Sequence, residues 1–113
     1  MKVKFTSHRS EILSALEEAK ERALEEIGGT AAAHAKENIT RNRSVVTGTL
    51  RRSIKHDPID SDTVAIGSDV EYSPYVELGT RRAQAKPYLR PAISDNIPEY
   101  KAIAEAELSE LGS

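Results

Sequence analysis

The longest regular pattern in the chain is a run of apolar side chains at steps of three and four between Ser10 and Ile39. Ile12, Leu16, Ala19, Ala23 and Ile27 form one stripe, and Leu13 and Leu24 widen it, as an amphipathic helix requires. Ser7 or Ser10 is placed to cap this helix, and Glu11 suits the positive end of its dipole. Glu17 with Glu21, and Glu18 with Arg22, fall on the outer surface, and only the second is a favourable i,i+4 pair. Gly28-Gly29 interrupts the stripe at a cost of about 1 kcal/mol per glycine relative to alanine. Ala31, Ala32, Ala35 and Ile39 then resume it with small side chains that allow close packing. The sequence therefore predicts one long helix kinked at Gly28-Gly29, or two helices in succession.

The segments that follow are shorter. Arg41 to Gly48 reads as an irregular basic connection, and Leu50 to Ile59 is ambiguous. Pro58 points to a strand end or an edge. Asp60-Ser61-Asp62 supplies turn chemistry, and Thr63 to Ser68 alternates with period two, so a hairpin is the economical reading. Tyr72 to Leu78 reads as a third extended segment broken by Pro74. Ala92 to Leu111 carries a second amphipathic pattern, with Pro98 in its first turn, Asp95 or Asn96 near the cap, and Tyr100, Ile103, Ala104, Leu108 and Leu111 inward. The expected class is α+β: a long N-terminal helix, a small antiparallel sheet and a C-terminal helix.

Length and composition limit the function. A chain of 113 residues is one domain, residues 1–113. Its net charge of −2 gives no global attraction to nucleic acid or anionic membrane. No run approaches the roughly 20 apolar residues that span a bilayer, and the N-terminus lacks the apolar core of a secretion signal. The expected setting is the cytoplasm or a particle assembled there. Zero cysteines remove disulfides, thiolate zinc sites and thiol nucleophiles. His8, His34 and His56 share no metal-ligand spacing, Gly28-Gly29-Thr30 lacks the lysine of a phosphate loop, and no serine lies in a nucleophile elbow. Asp57, Asp60, Asp62 and Asp69 do not match a calcium loop and read as turn residues. The chain is read as a non-enzyme without a cofactor. Its apolar inventory is thin, and self-association is a natural remedy for a marginal core.

Val70 to Ala92 is compositionally unlike the rest. It holds Tyr72, Tyr75 and Tyr88 of the four tyrosines, Pro74, Pro87 and Pro91 of the five prolines, and the cations Arg81, Arg82, Lys86 and Arg90. Rings and guanidinium groups beside a glycine turn make the composition of a contact surface. Tyr72 and Val76 fit core positions on one face, but Tyr75, Glu77, Arg81, Arg82, Lys86 and Arg90 together do not. Gly79 frees the backbone for a tight bend, and Lys86-Pro87 and Arg90-Pro91 bias the chain toward extended geometry.

Charge is segregated despite its balance. Lys36, Arg41, Arg43, Arg51, Arg52 and Lys55 face a single Glu37 within one stretch, and the flanking segments are acidic. Such a patch pairs with an acidic face of another copy, as head-to-tail packing requires, or with phosphates. Arg41, Arg43, Arg51 and Arg52 are thus either inter-subunit or DNA-facing residues, and the alternative function is a nucleic-acid-binding module built on Lys36–Lys55.

Tyr72-Ser73-Pro74-Tyr75-Val76-Glu77-Leu78-Gly79-Thr80, followed by Ala85-Lys86-Pro87-Tyr88-Leu89-Arg90-Pro91-Ala92, resembles the paired signature of small tail-component proteins of long-tailed bacteriophages. Val46-Thr47-Gly48-Thr49-Leu50-Arg51-Arg52-Ser53-Ile54 is similar to a third element of that family. Leu78 stands where an aromatic is usual and Val46 where aspartate is frequent. The resemblance spans about Ser10 to Ile103. It implies a single tail-component domain of a phage or prophage, assembled in the host cytoplasm into the virion. It also implies a ring, often sixfold, at the neck or tail end, which completes head–tail joining. The implied partners are further copies, the connector and tail proteins; DNA passes through the lumen unread, and no membrane is involved. With the composition, the expected interface set is Tyr72, Tyr75, Glu77, Gly79, Thr80, Arg81, Arg82, Pro87, Tyr88, Leu89, Arg90 and Pro91.

Overall fold

One helix dominates the structure, a computed structural model that describes residues 2–42 and 47–110, with side chains for 13–42 and 48–110. Helix α1 (Lys2–Asn42) has 41 residues, so its axis is about 62 Å long. It accounts for most of the 70 Å long axis of a molecule only 23 × 21 Å in section. Ser7 and Ser10 lie inside α1 and do not cap it. Helix α2 (Thr47–Ser53) and an antiparallel hairpin of β1 (Lys55–Asp60) and β2 (Thr63–Gly67) follow. Helices α3 (Ser73–Leu78), α4 (Leu89–Ser94) and α5 (Ile97–Ser109) complete an α+β fold that is mostly helical.

Gly28-Gly29 neither divides α1 nor separates two helices. A Cβ on Gly28 would lie 2.7 Å from Val64 Cγ2 and 2.8 Å from His56 Cδ2. The missing side chain lets the hairpin pack directly on the helix backbone, and that packing offsets the poor helix propensity. Two polar links flank the approach: His56 Nε2 donates to Glu25 at 2.8 Å, and Lys20 Nζ reaches Asp62 at 2.6 Å. Across the hairpin Lys55 pairs with Gly67 and Pro58 with Val64, with a register shift between Pro58 and Asp60. Pro58 is tolerated within β1 because each strand of a two-stranded sheet has a free edge. The Asp62 amide closes the turn on the Asp60 carboxylate at 2.8 Å.

Three further expectations change. Residues 73–78 are helical, not extended: Pro74 lies in the first turn of α3, where its missing N–H has no intrahelical partner to lose. The pattern from Ala92 to Leu111 is divided at Asp95-Asn96 into α4 and α5. The Pro98 ring cannot follow an unbroken helix, so the chain restarts with Asn96, whose carbonyl accepts the Glu99 and Tyr100 amides at 3.1 and 3.2 Å; Leu111 lies outside the described residues. The connection expected over Arg41 to Gly48 contains the end of α1 and the start of α2, and residues 43–46 lie outside the described residues.

The core sits on the C-terminal half of α1. Ala32, Ala35 and Ile39 meet Leu50, Ile54, Tyr88 and Ala92, with Ile66, Val70, Tyr72, Val76 and Leu89 packed around them. Tyr88, Ile39 and Leu50 are its largest fully buried side chains. Farther back, Leu13 and Leu16 on the helical stripe are 53 % and 40 % exposed, so that part of α1 extends past the subunit's own core.

Candidate assembly surface on the Tyr72–Ala92 segment

Helix α3 has two distinct faces. Ser73 and Glu77, one turn apart, are buried, whereas Tyr75 and Leu78 point outward at 60 % and 57 % exposure. Gly79 ends the helix at φ +78°, and a Cβ there would lie 2.8 Å from the Ala85 amide nitrogen. The loop then folds onto itself. Thr80 N–H donates to the Ala83 carbonyl at 2.9 Å, and the Thr80 hydroxyl accepts the Arg82 and Ala83 amides at 3.2 and 3.0 Å. Lys86 N–H returns to the Val76 carbonyl at 2.8 Å. Arg81, Arg82 and Lys86 are left exposed on a hydrogen-bonded loop.

Glu77 fastens this loop to the next helix. Its Oε1 accepts the amides of Tyr88 at 3.0 Å and Leu89 at 2.7 Å, and its Oε2 accepts that of Arg90 at 3.3 Å. These amides open α4, which has no cap from its own N-cap side chain, so Glu77 supplies the acceptors from eleven to thirteen residues earlier in the chain. The Tyr88 hydroxyl binds both the Ser73 hydroxyl and the Ser73 carbonyl. Burial pushes the Tyr88 phenol above its usual range; the Ser73 bond opposes this and nearby Glu77 adds to it. From α1, Asn38 donates to the Tyr88 carbonyl at 3.1 Å, and Asn42 donates to the carbonyls of Lys86 and Pro87 at 3.2 and 3.0 Å. The two sequence blocks are therefore one physical unit.

This sorts the expected contact residues. Tyr75, Thr80, Arg81, Arg82, Pro87 and Arg90 are exposed, while Gly79, Leu89, Pro91 and Tyr72 are half-buried. Glu77 and Tyr88 are supports buried inside the subunit, because one carboxylate holds three amides and one ring fills the core. Leu78 was missed as a contact candidate, since only a helical reading places it beside Tyr75. Arg41, Arg51 and Arg52 are exposed, and Arg43 lies outside the described residues. Arg41 reaches Asn38 within its own helix at 3.3 Å. None of Arg41, Arg51, Arg52, Arg81, Arg82 and Arg90 forms a salt bridge with another described residue.

Residues 4–79 match the family model described as "Bacteriophage HK97-gp10, putative tail-component". The chain belongs to this family. The match runs through most of α1, the hairpin and the Tyr72–Thr80 block as far as Gly79, and the Pro87–Ala92 block beyond it is tied back by Glu77. No curated protein and no solved structure gave a match. The HK97-gp10-like assignment makes this a phage tail component, a structural class. Among the described residues no helix is long and apolar enough to cross a membrane.

A second set of contacts in this tail component joins α1 to α5. Arg22 bonds Glu107 at 3.1 Å, in place of the expected partner Glu18, and His34 Nε2 bonds Glu99 at 2.9 Å with Glu37 3.5 Å from the other ring nitrogen. The His34 ring meets Tyr100 edge-on at 6.4 Å. The Glu99 hydrogen bond raises the His34 pKa above 6.5, partial burial opposes it, and Glu37 adds a smaller rise. A raised folded pKa means that this contribution is fully present below the unfolded value and is lost as pH rises through the folded value. Thermal midpoints measured from pH 6 to pH 9 should therefore fall by the equivalent of up to about 1 kcal/mol, and His34→Gln should remove that slope.

Proposed function

We propose that this protein is a structural virion subunit that forms a ring at the head–tail junction or tail end and completes head-to-tail joining. The observation that carries the reading is the outward row Tyr75, Leu78, Arg81 and Arg82 in a tail-component chain, mounted on a unit fixed from inside by Glu77 and Tyr88. Exposed aromatic and arginine side chains on a preorganised support are what assembly needs. One face of the ring meets the connector and the other the tail, the genome passes through the lumen without sequence recognition, and assembly takes place in the host cytoplasm.

The test uses Tyr75→Ala and Arg90→Ala in a phage or prophage that carries this gene. Both side chains are exposed, so unfolding free energies should change by no more than about 0.5 kcal/mol. Electron microscopy should nevertheless show heads and tails accumulating unjoined. Normal yields of joined particles from both variants would oppose the reading.

Arg51 and Arg52, exposed in the last turn of α2 without a salt bridge to a described residue, favour a second reading in which the Lys36–Lys55 patch binds nucleic acid. That reading requires DNA binding that weakens with salt and with Arg51→Ala and Arg52→Ala. Absence of binding at low salt would remove it.

A further inference from the structure

We propose that neighbouring copies pack head to tail, with the α3 knob of one subunit seated in the groove between α1 and the hairpin of the next. The inference rests on the ring reading above and adds to it both halves of the contact. The knob is Tyr75 and Leu78, exposed large side chains on one face of α3, with Arg81 and Arg82 beyond them on the folded loop. The groove has a volume of about 410 Å³, an apolar lining of Leu24, Pro58, Ile59 and Val64, and a rim of Glu21, Glu25 and Asp60. An apolar projection edged by cations thus has a counterpart in an apolar groove edged by carboxylates.

The groups around the groove leave that charge largely uncompensated. Lys20 is taken by Asp62 and Glu17, and His56 binds Glu25 from the hairpin side. Glu21 and Asp60 form no salt bridge with another described residue. A second groove of about 280 Å³, between α1, β2 and the α4–α5 segment, has no charged residue in its lining and offers nothing to the arginine loop.

Placement excludes closure within one chain. Asn42 holds the loop at the end of α1, and Leu24 lines the groove eighteen residues earlier, about 27 Å along the helix axis. Unlike surfaces at separated places on one subunit make a heterologous contact, which propagates from copy to copy and closes into a ring when the rotation allows.

The chain contains no cysteine, which gives a clean test. A Leu78→Cys/Ile59→Cys double variant treated with an oxidant should give a ladder of covalent multimers that a reductant collapses, while each single variant stops at dimers. Arg81→Glu/Arg82→Glu and Glu21→Lys/Glu25→Lys should each raise the concentration for self-association more than about tenfold, and an equimolar mixture should restore it. Circular dichroism checks that each variant is folded. Multimers that persist in both charge-reversed variants, with no ladder, overturn this contact while leaving the ring reading intact. A wild-type chain that stays monomeric at every concentration, and beside connector and tail proteins, overturns the ring reading and the contact with it. Loss of salt-dependent duplex DNA binding in Arg81→Glu/Arg82→Glu, with self-association unchanged, assigns the loop to nucleic acid and also overturns the contact.

Discussion

Glu77→Ala should lower the unfolding free energy by about 3 kcal/mol or more, because three amides at the start of α4 lose a charged acceptor together. For a domain of this size that corresponds to a fall in thermal midpoint of about 12 °C. Glu77 is 8 % exposed and Tyr88 is fully buried, so the vacated site is poorly placed to recruit water in compensation. Glu77→Gln keeps one acceptor oxygen and should lose roughly half as much. Differential scanning calorimetry distinguishes these outcomes. A loss below about 1 kcal/mol in Glu77→Ala would mean that α3 and α4 hold their positions independently. The same variant should also release the Gly79–Pro87 loop, seen as faster amide exchange at Lys86 and Tyr88.

The second large effect distinguishes two adjacent glycines. Gly28→Ala places a methyl group against the stiff Val64 side chain and the His56 ring, and should cost about 2–3 kcal/mol. Gly29→Ala meets only His56 Cε1 at 3.9 Å, an ordinary contact, and should instead gain about 0.5–1 kcal/mol from helix propensity. Opposite signs at neighbouring positions in one helix are the signature of a packing glycine beside a merely tolerated one. Urea unfolding of the two variants measures both. A stabilised Gly28→Ala would contradict the close approach of the hairpin to α1.

Gly28 also shows how far local reading reaches. The stripe of Ala19, Ala23 and Ile27 was legible because it follows the helix period, but the role of the glycine depends on Val64 and His56, far away in sequence. The hairpin was legible from the alternation of Thr63 to Ser68 and the Asp60–Asp62 turn. Helix α3 was not, because six residues containing a proline carry too few repeats to separate the two periods, and Pro74 reads as a breaker until its place in the first turn is known. The same limit governed the candidate site. Composition marked the Tyr72–Ala92 segment as unusual, and the motif blocks pointed to the tail-component family. Neither separated Glu77, which turns inward to the α4 amides, from Tyr75, which turns out on the same short helix. That division comes from the helical turn and from the amides of a segment eleven to thirteen residues away.

Sedimentation velocity of wild type and Tyr75→Ala at matched concentration tests the central claim most directly: the segment is locked to its own subunit by Glu77 and Tyr88 and offers Tyr75 to a neighbour. Wild type should sediment as a multimer, and Tyr75→Ala as a folded monomer with the elongated shape of the 70 × 23 × 21 Å subunit. An unfolded Tyr75→Ala chain, or one that sediments as the same multimer as wild type, would contradict it.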